Sequence, residues 1–475
     1  MILMFRVLII CYVSVTYVSN TMAEDLRVIV DKERQTEVAV TIYNGNFAVV
    51  RDKRDILLPV GEFELEFQGV ARSIDPSTVS ITSEDVKKEL QVLEQSYRYD
   101  LLNKQALLER FLGRKLKYSR SILEGSRFEK VLREGILLSI NPEVVRFGDE
   151  IEIEPEGIIS LAYLPDDLKT TPTLLWSLEN ETQGDQGVIV SYLTDNISWQ
   201  ADYVLELAAD ESEIDLTGWV TIRNQSGAEY EDARLKLVAG DVQRVRSQPA
   251  LKRRAAQQVL GLAEAANAGP SRESFFEYHL YDFPRRTTLE SNSEKQIKLL
   301  TARGIAVGKA YVMQNDVMQH QAQGVQKIKA DVILSFRNTK KNGLNAPLPE
   351  GKLRVLKADR TGILQLVGED RIRHTPVNSD VEVKVGRVFD VTADRKQVDY
   401  RRLGNRGMEV AYSMNVKNHK NGPVELMVKE RLNGDWAIIQ ESHRSEKLDS
   451  TTIAYRLKLQ KGAEQTITYT ARFNY

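Results

Sequence analysis

The chain has 475 residues, 42% of them hydrophobic and 28% charged, with a formal net charge of −2. The length sets a prior of about three domains, and the near-neutral balance lacks the basic stripe that nucleic-acid binding needs, so nucleic acid is not expected as a partner. The only cysteine, Cys11, lies in the first apolar stretch.

Met1–Arg6 supplies one positive charge, Val7–Val18 is mostly apolar, and Ser19–Ala23 is small or polar. This is the pattern of a signal peptide over residues 1–23, cut before Glu24. The apolar run is shorter than the roughly 20 residues of a spanning helix. No integral membrane segment is expected after cleavage; an uncleaved anchor is the alternative, and a start at Met22 would remove the segment. Leu8, Ile9 and Ile10 leave no small residue ahead of Cys11, so lipidation there is not expected. Loss of Arg6 takes the charge from −2 to −3. A mature chain without cysteine excludes disulfides, zinc–thiolate sites and cysteine nucleophiles. That usage fits a bacterial periplasm or cell surface better than a disulfide-stapled secreted domain.

Residues 24–170 read as an N-terminal β domain. Leu26–Val30 and Glu37–Tyr43 are strand-like, Asn44-Gly45-Asn46 signals a hairpin, and Phe47–Leu58 returns. One short helix is expected near 103–112: Asn103 is a good N-cap, Leu107, Leu108, Phe111 and Leu112 have helical spacing, and Gly113 is a left-handed stop. Its apolar stripe is suited to plugging a sheet. Asp149, Glu150, Glu152, Glu154 and Glu156 do not follow a calcium-loop pattern and read as a solvated strand face.

Residues 171–404 read as a central β-sandwich. Ile197–Leu207, Ile214–Ile222 and Ala233–Leu237 alternate apolar and polar residues, which gives each strand one buried face. The short breaks at Ala208–Glu213 and Asn224–Gly227 suggest a three-stranded antiparallel meander. Residues 244–274 interrupt the sandwich: no aromatic residue, six basic and two acidic side chains. So little apolar surface implies a mobile linker. After Gly407, alternation at Met408–Val416, Ile453–Leu459 and Ile467–Phe473 suggests a C-terminal immunoglobulin-like sandwich over 405–475. The fold expected is all-β, a multidomain set of sandwiches.

WQADYVLEL at Trp199–Leu207, LTGWVTIRNQSGAEYEDARLKLVAGDV at Leu216–Val242, and APLPEGKLRV with VGEDRIRHTPVNSDVEVKVGRVFDV within Ala346–Val391 resemble a bacterial domain of unknown function. That domain also forms the C-terminal half of mucoidy-inhibitor-A-like proteins. The resemblance covers roughly Thr173 to Tyr475 and implies export and a β-rich fold. It implies no catalytic residue.

The chain contains no H-E-x-x-H, G-x-S-x-G, Walker or dinucleotide-binding motif. GIAVGKA at Gly304–Ala310 has phosphate-loop glycines at too short a spacing and reads as a strand. The five histidines, 279, 320, 374, 419 and 443, lack ligand spacing. His374, with Glu369, Asp370, Arg371 and Arg373 nearby, is the best general-base candidate, but its setting is that of a polar turn. Trp199 falls on the apolar face of its strand. Trp219 falls on the polar face and is the candidate interface residue. The expectation is therefore an exported, non-enzymatic envelope protein that binds or scaffolds, without cofactor or metal. Its partner would be another envelope protein or a polysaccharide. An outer-membrane-associated component and a hydrolase of envelope polymers are the alternatives.

Overall fold

The structure, a computed structural model, describes residues 26–85, 90–98, 103–124, 127–163, 165, 168, 171–240, 242–244, 272–275, 278–322 and 324–474. The expected signal peptide lies outside the described residues, as do residues 245–271 of the expected linker. The described chain is almost entirely β. Its described residues fall into two compact units, one drawn from 26–38 and 50–193 and the other from 39–49 and 194–474.

The first unit contains a four-stranded sheet ordered Arg27–Val30, Gly61–Gln68, Thr173–Asn180 and Leu90–Arg98. Phe63, Leu65 and Phe67 alternate with glutamates and are buried; Leu65 faces Trp176 in register, and the Trp176 ring meets Phe67 edge-on at 6.1 Å. Each such side chain removed from water contributes about 1.5–3 kcal/mol. Asp52, Arg54 and Glu66 are buried with them. Arg54 is fully enclosed, bound to Asp52 at 2.8 and 3.2 Å and to the carbonyls of Val30 and Gln68, with its guanidinium 3.6 Å from the centre of the Phe67 ring.

A five-stranded sheet in the same unit is ordered Glu150–Ile153, Glu143–Phe147, Arg127–Ile140, Lys115–Glu124 and Ile158–Ser160. The expected helix is Lys104–Arg110; Asn103 caps it by accepting from Ala106 N–H at 2.9 Å, and Gly113 stops the turn at φ 77°. Leu108 and Phe111 pack on Leu116, Leu137 and Val145. The helix plugs the sheet, as its stripe suggested.

The second unit carries a five-stranded sheet ordered Ser293–Ala306, Glu213–Asn224, Ile197–Leu207, Gly351–Ala358 and Leu364–Ile372. Ile197 to Leu207 pairs antiparallel with Asn224 to Ile214, as expected. The third strand of the expected meander goes elsewhere. Tyr230–Ala239 leaves this sheet, pairing antiparallel with Tyr278–Leu289 and parallel with residues 39–43. Alternation fixes which face is buried, not which neighbour supplies the hydrogen bonds. Trp199 and Tyr281 meet across this sandwich at 6.3 Å, and the Trp199 indole N–H donates to Val238 O at 3.3 Å. Gly351 is required where Gly351–Lys357 runs parallel to Ala201–Leu207: a Cβ there would lie 2.2 Å from Ala201 O.

Nine strands between Gly308 and Asn474 form one sheet, ordered Asp435–Glu441, Glu464–Asn474, Gly407–Asn418, Asp380–Arg402, Val325–Arg337, Gly308–Asp316, Val424–Arg431, Thr452–Leu459 and Glu446–Lys447. The expected division at residue 404 falls inside it, because Asp380–Arg402 and Gly407–Asn418 are paired neighbours. The sheet curls over its own core, so that Tyr455 and Tyr469, from opposite halves, stack at 5.9 Å. Inside this core Arg395 binds Glu430 through two hydrogen bonds at 2.7 and 3.2 Å, Tyr469 donates to Glu430 at 2.8 Å, and Arg395 lies 3.8 Å from the centre of the Tyr412 ring. Burial, and then the Glu430 charge, push the Tyr469 hydroxyl well above its ordinary value.

Candidate functional site

Two strands that follow each other in sequence diverge into different sheets of the second unit. Tyr278–Leu289 pairs with Tyr230–Ala239, whereas Ser293–Ala306 pairs with Glu213–Asn224. Buried Asn224 holds the fork. Its side-chain amide donates to the carbonyls of Ala228 (2.8 Å), Leu289 (3.2 Å) and Glu290 (3.0 Å), and its Oδ1 accepts from Ser226 N–H at 3.2 Å.

Beyond the fork the strands enclose a cavity of about 140 Å³. Tyr281, Phe283 and Pro284 line one wall; Lys298, Leu299 and Leu300 line the other, and Ala346 adds to the lining. Tyr281 is fixed by its hydroxyl, which donates to Pro347 O at 3.1 Å. Leu299 stands at a register shift, where Gly218 faces Leu300 but Trp219 faces Lys298. The shift is a β-bulge, which re-aims side chains at a sheet edge. Packing at Gly218 is close: a Cβ would lie 3.1 Å from Leu300 and 3.3 Å from Tyr203.

Trp219 is half-buried on the outer face and lies between Asp202 and Lys298 in register. The candidate interface residue is therefore a cross-strand neighbour of the lysine that lines the cavity. Asp202 is buried and accepts from Thr221 Oγ1 at 2.8 Å, with an Arg354 nitrogen 3.7 Å away; Gln296 donates to Thr221 at 3.2 Å. These groups are engaged in cross-strand ties.

At the far end of the sheet, Glu211 is held between Lys309 and Lys357, the latter at 2.6 Å. Burial raises its carboxyl, but the two ammonium groups outweigh that and hold it at about 2. His374 accepts from Glu350 N–H at 3.1 Å through Nδ1, so it ties two turns together. Gly304, in the stretch with phosphate-loop glycines, donates its N–H to Asp215 at 2.9 Å within strand structure. Among the acidic residues at 149–156, Glu152 pairs with Arg133 at 2.6 Å and Glu156 with Arg120 at 3.5 Å. Among the described residues, no group of three or more His, Cys, Asp or Glu is placed to hold a metal ion, and no helix is long and apolar enough to cross a membrane.

Sequence reasoning missed the buried asparagines. Asn180, Asn224, Asn338 and Asn418 are all buried at strand ends, and each is followed by a glycine within five positions. That recurrence is the signal the sequence carries for them.

The fold and cavity define an all-β protein with a sandwich that is open along one edge. Residues 188–475 match the family described as a domain of unknown function, DUF4139, and the protein belongs to that family. No curated protein matches the chain.

Proposed function

We propose that the protein is an exported, non-enzymatic binding or scaffolding protein of a bacterial cell envelope, and that it takes its partner at the edge cavity of the second unit. The observation that carries this reading is the make-up of the cavity: apolar walls beside an exposed Lys298 that makes no ion pair among the described residues. Apolar walls with a few placed polar groups are the usual chemistry of recognition. The leader pattern at 1–23 and the cysteine-free remainder support export. The resemblance of Thr173–Tyr475 to the C-terminal half of mucoidy-inhibitor-A-like proteins supports a bacterial envelope setting. The partner is another envelope protein or a polysaccharide.

The test is cross-linking in intact cells, followed by N-terminal sequencing and identification of what is captured. The expected result is a chain beginning at Glu24 and cross-linked to an envelope component. A cytoplasmic chain that keeps Met1, or one that captures nothing, would overturn the proposal.

A further inference from the structure

The cavity sits against the Ser293–Ala306 strand, which ends its sheet. Glu213–Asn224 satisfies one row of its backbone groups; the opposite row has no ladder partner among the described residues. Such an edge is a template for another extended chain. The turn Lys340–Asn342 flanks the strand, with Gly343 near Ala302, so the open stretch is the one that runs along the cavity.

Size and charge narrow the occupant. At about 140 Å³ the cavity is well below the roughly 300–1,000 Å³ of small-molecule pockets, and is suited to a single apolar side chain. Lys298 on its wall, Arg285 next to Pro284, Arg303 on the same strand, and Lys340 and Lys341 on the flanking turn make no ion pair among the described residues. Lysine on an edge strand discourages a second copy of that strand from adding. The same charge attracts a strand of opposite sign.

We infer that the Ser293–Ala306 edge accepts an extended acidic peptide segment of another protein, with one bulky apolar side chain seated in the cavity. This rests on the binding reading above and names the class of partner. The probe is a set of fluorescein-labelled peptides, Thr-Glu-Thr-X-Thr-Glu-Thr with X apolar, titrated into the full chain and read by anisotropy. Members with X as Phe or Leu bind. Binding is lost when lysine replaces each glutamate, and when alternate peptide amides are N-methylated so that they cannot pair with the edge. Lys298→Glu, at an exposed position, leaves the fold intact and weakens binding about fivefold or more. Equal binding by the N-methylated peptides would overturn strand addition. Failure of every member to bind, or preference for phosphatidylglycerol vesicles over all of them, would overturn the inference. If Lys298→Glu still captures the same envelope partner in cells, this inference fails while the broader binding function stands.

Discussion

Asn224 in the five-stranded sheet and Asn418 in the nine-stranded sheet make the same set of bonds. Asn418 donates to Gly422, Leu459 and Gln460 carbonyls at 3.0, 3.2 and 2.9 Å, and its Oδ1 accepts from Lys420 N–H at 3.0 Å. Each asparagine joins the turn after its own strand to the end of a strand distant in sequence. Asn338 repeats the donor half, to Ala346, Thr375 and Pro376.

Asn418→Ala is expected to destabilise the protein by about 3 kcal/mol, because buried carbonyls lose their donor without gaining water. Asn418→Asp is expected to be at least as damaging, since it places carboxylate oxygens against those carbonyls. Asn421→Ala, at an exposed position, should stay within about 0.5 kcal/mol. Urea unfolding of the three variants checks the order.

Glu211 gives a pH signature. Its folded value of about 2 lies below its ordinary 4.5, so its contribution is full above about pH 4.5 and fades as pH falls toward 2. The three side chains are about a third exposed, so after solvent screening the clamp is worth about 1 kcal/mol. Thermal unfolding of Glu211→Gln should be lower than that of the parent at pH 7, with the gap closing between pH 4.5 and 2. A gap independent of pH would show that packing, not charge, is responsible.

The enclosed Arg395–Glu430 pair responds differently. Either Arg395→Met or Glu430→Gln leaves a buried group without its partner and should cost about 3–5 kcal/mol. Replacing both with apolar residues of similar volume should cost less than the two single changes added together. A double-mutant cycle by denaturant unfolding measures the difference, and additive costs would contradict the pairing.

Cutting the chain between Arg244 and Arg272 should not separate its parts. Tyr230–Ala239 and Tyr278–Leu289 lie on opposite sides of the cut and are paired strands. Arg244 is itself anchored, 2.6 Å from Asp195 and 4.5 Å from the centre of the Phe47 ring. With a specific protease sequence inserted at 245–271, the cleaved fragments are expected to co-elute in size exclusion without denaturant.

The strands were legible because alternation is a local property: Ile197–Leu207 and Gly407–Asn418 bury the residues their patterns assign inward. The helix was legible for the same reason, since Asn103 and Gly113 bracket it within one short stretch. Pairing was not. Nothing in Tyr230–Ala239 says that its neighbours are residues 39–43 and Tyr278–Leu289, so the meander was one strand too long. The expected linker, drawn to 274 for its lack of apolar surface, takes in Arg272, Glu273 and Ser274, yet these pair with Tyr281, Leu280 and His279. Alternation along Glu213–Asn224 places Trp219 on the polar face, and it lies half-buried there. The cavity beside it depends on a bulge and a fork between sheets, and both are long-range features.

The parallel pairing of residues 39–43 with Arg234–Val238 separates the family's sequence boundary from its physical one. A polypeptide beginning at residue 188 would carry every residue of the family match and still lack an inner strand. The vacated flank of Tyr230–Ala239 would be a long, apolar, unpaired margin, the kind that recruits a strand from a neighbouring molecule. Complementation in trans by a peptide spanning 35–49, rather than further trimming, is the route to a soluble family segment.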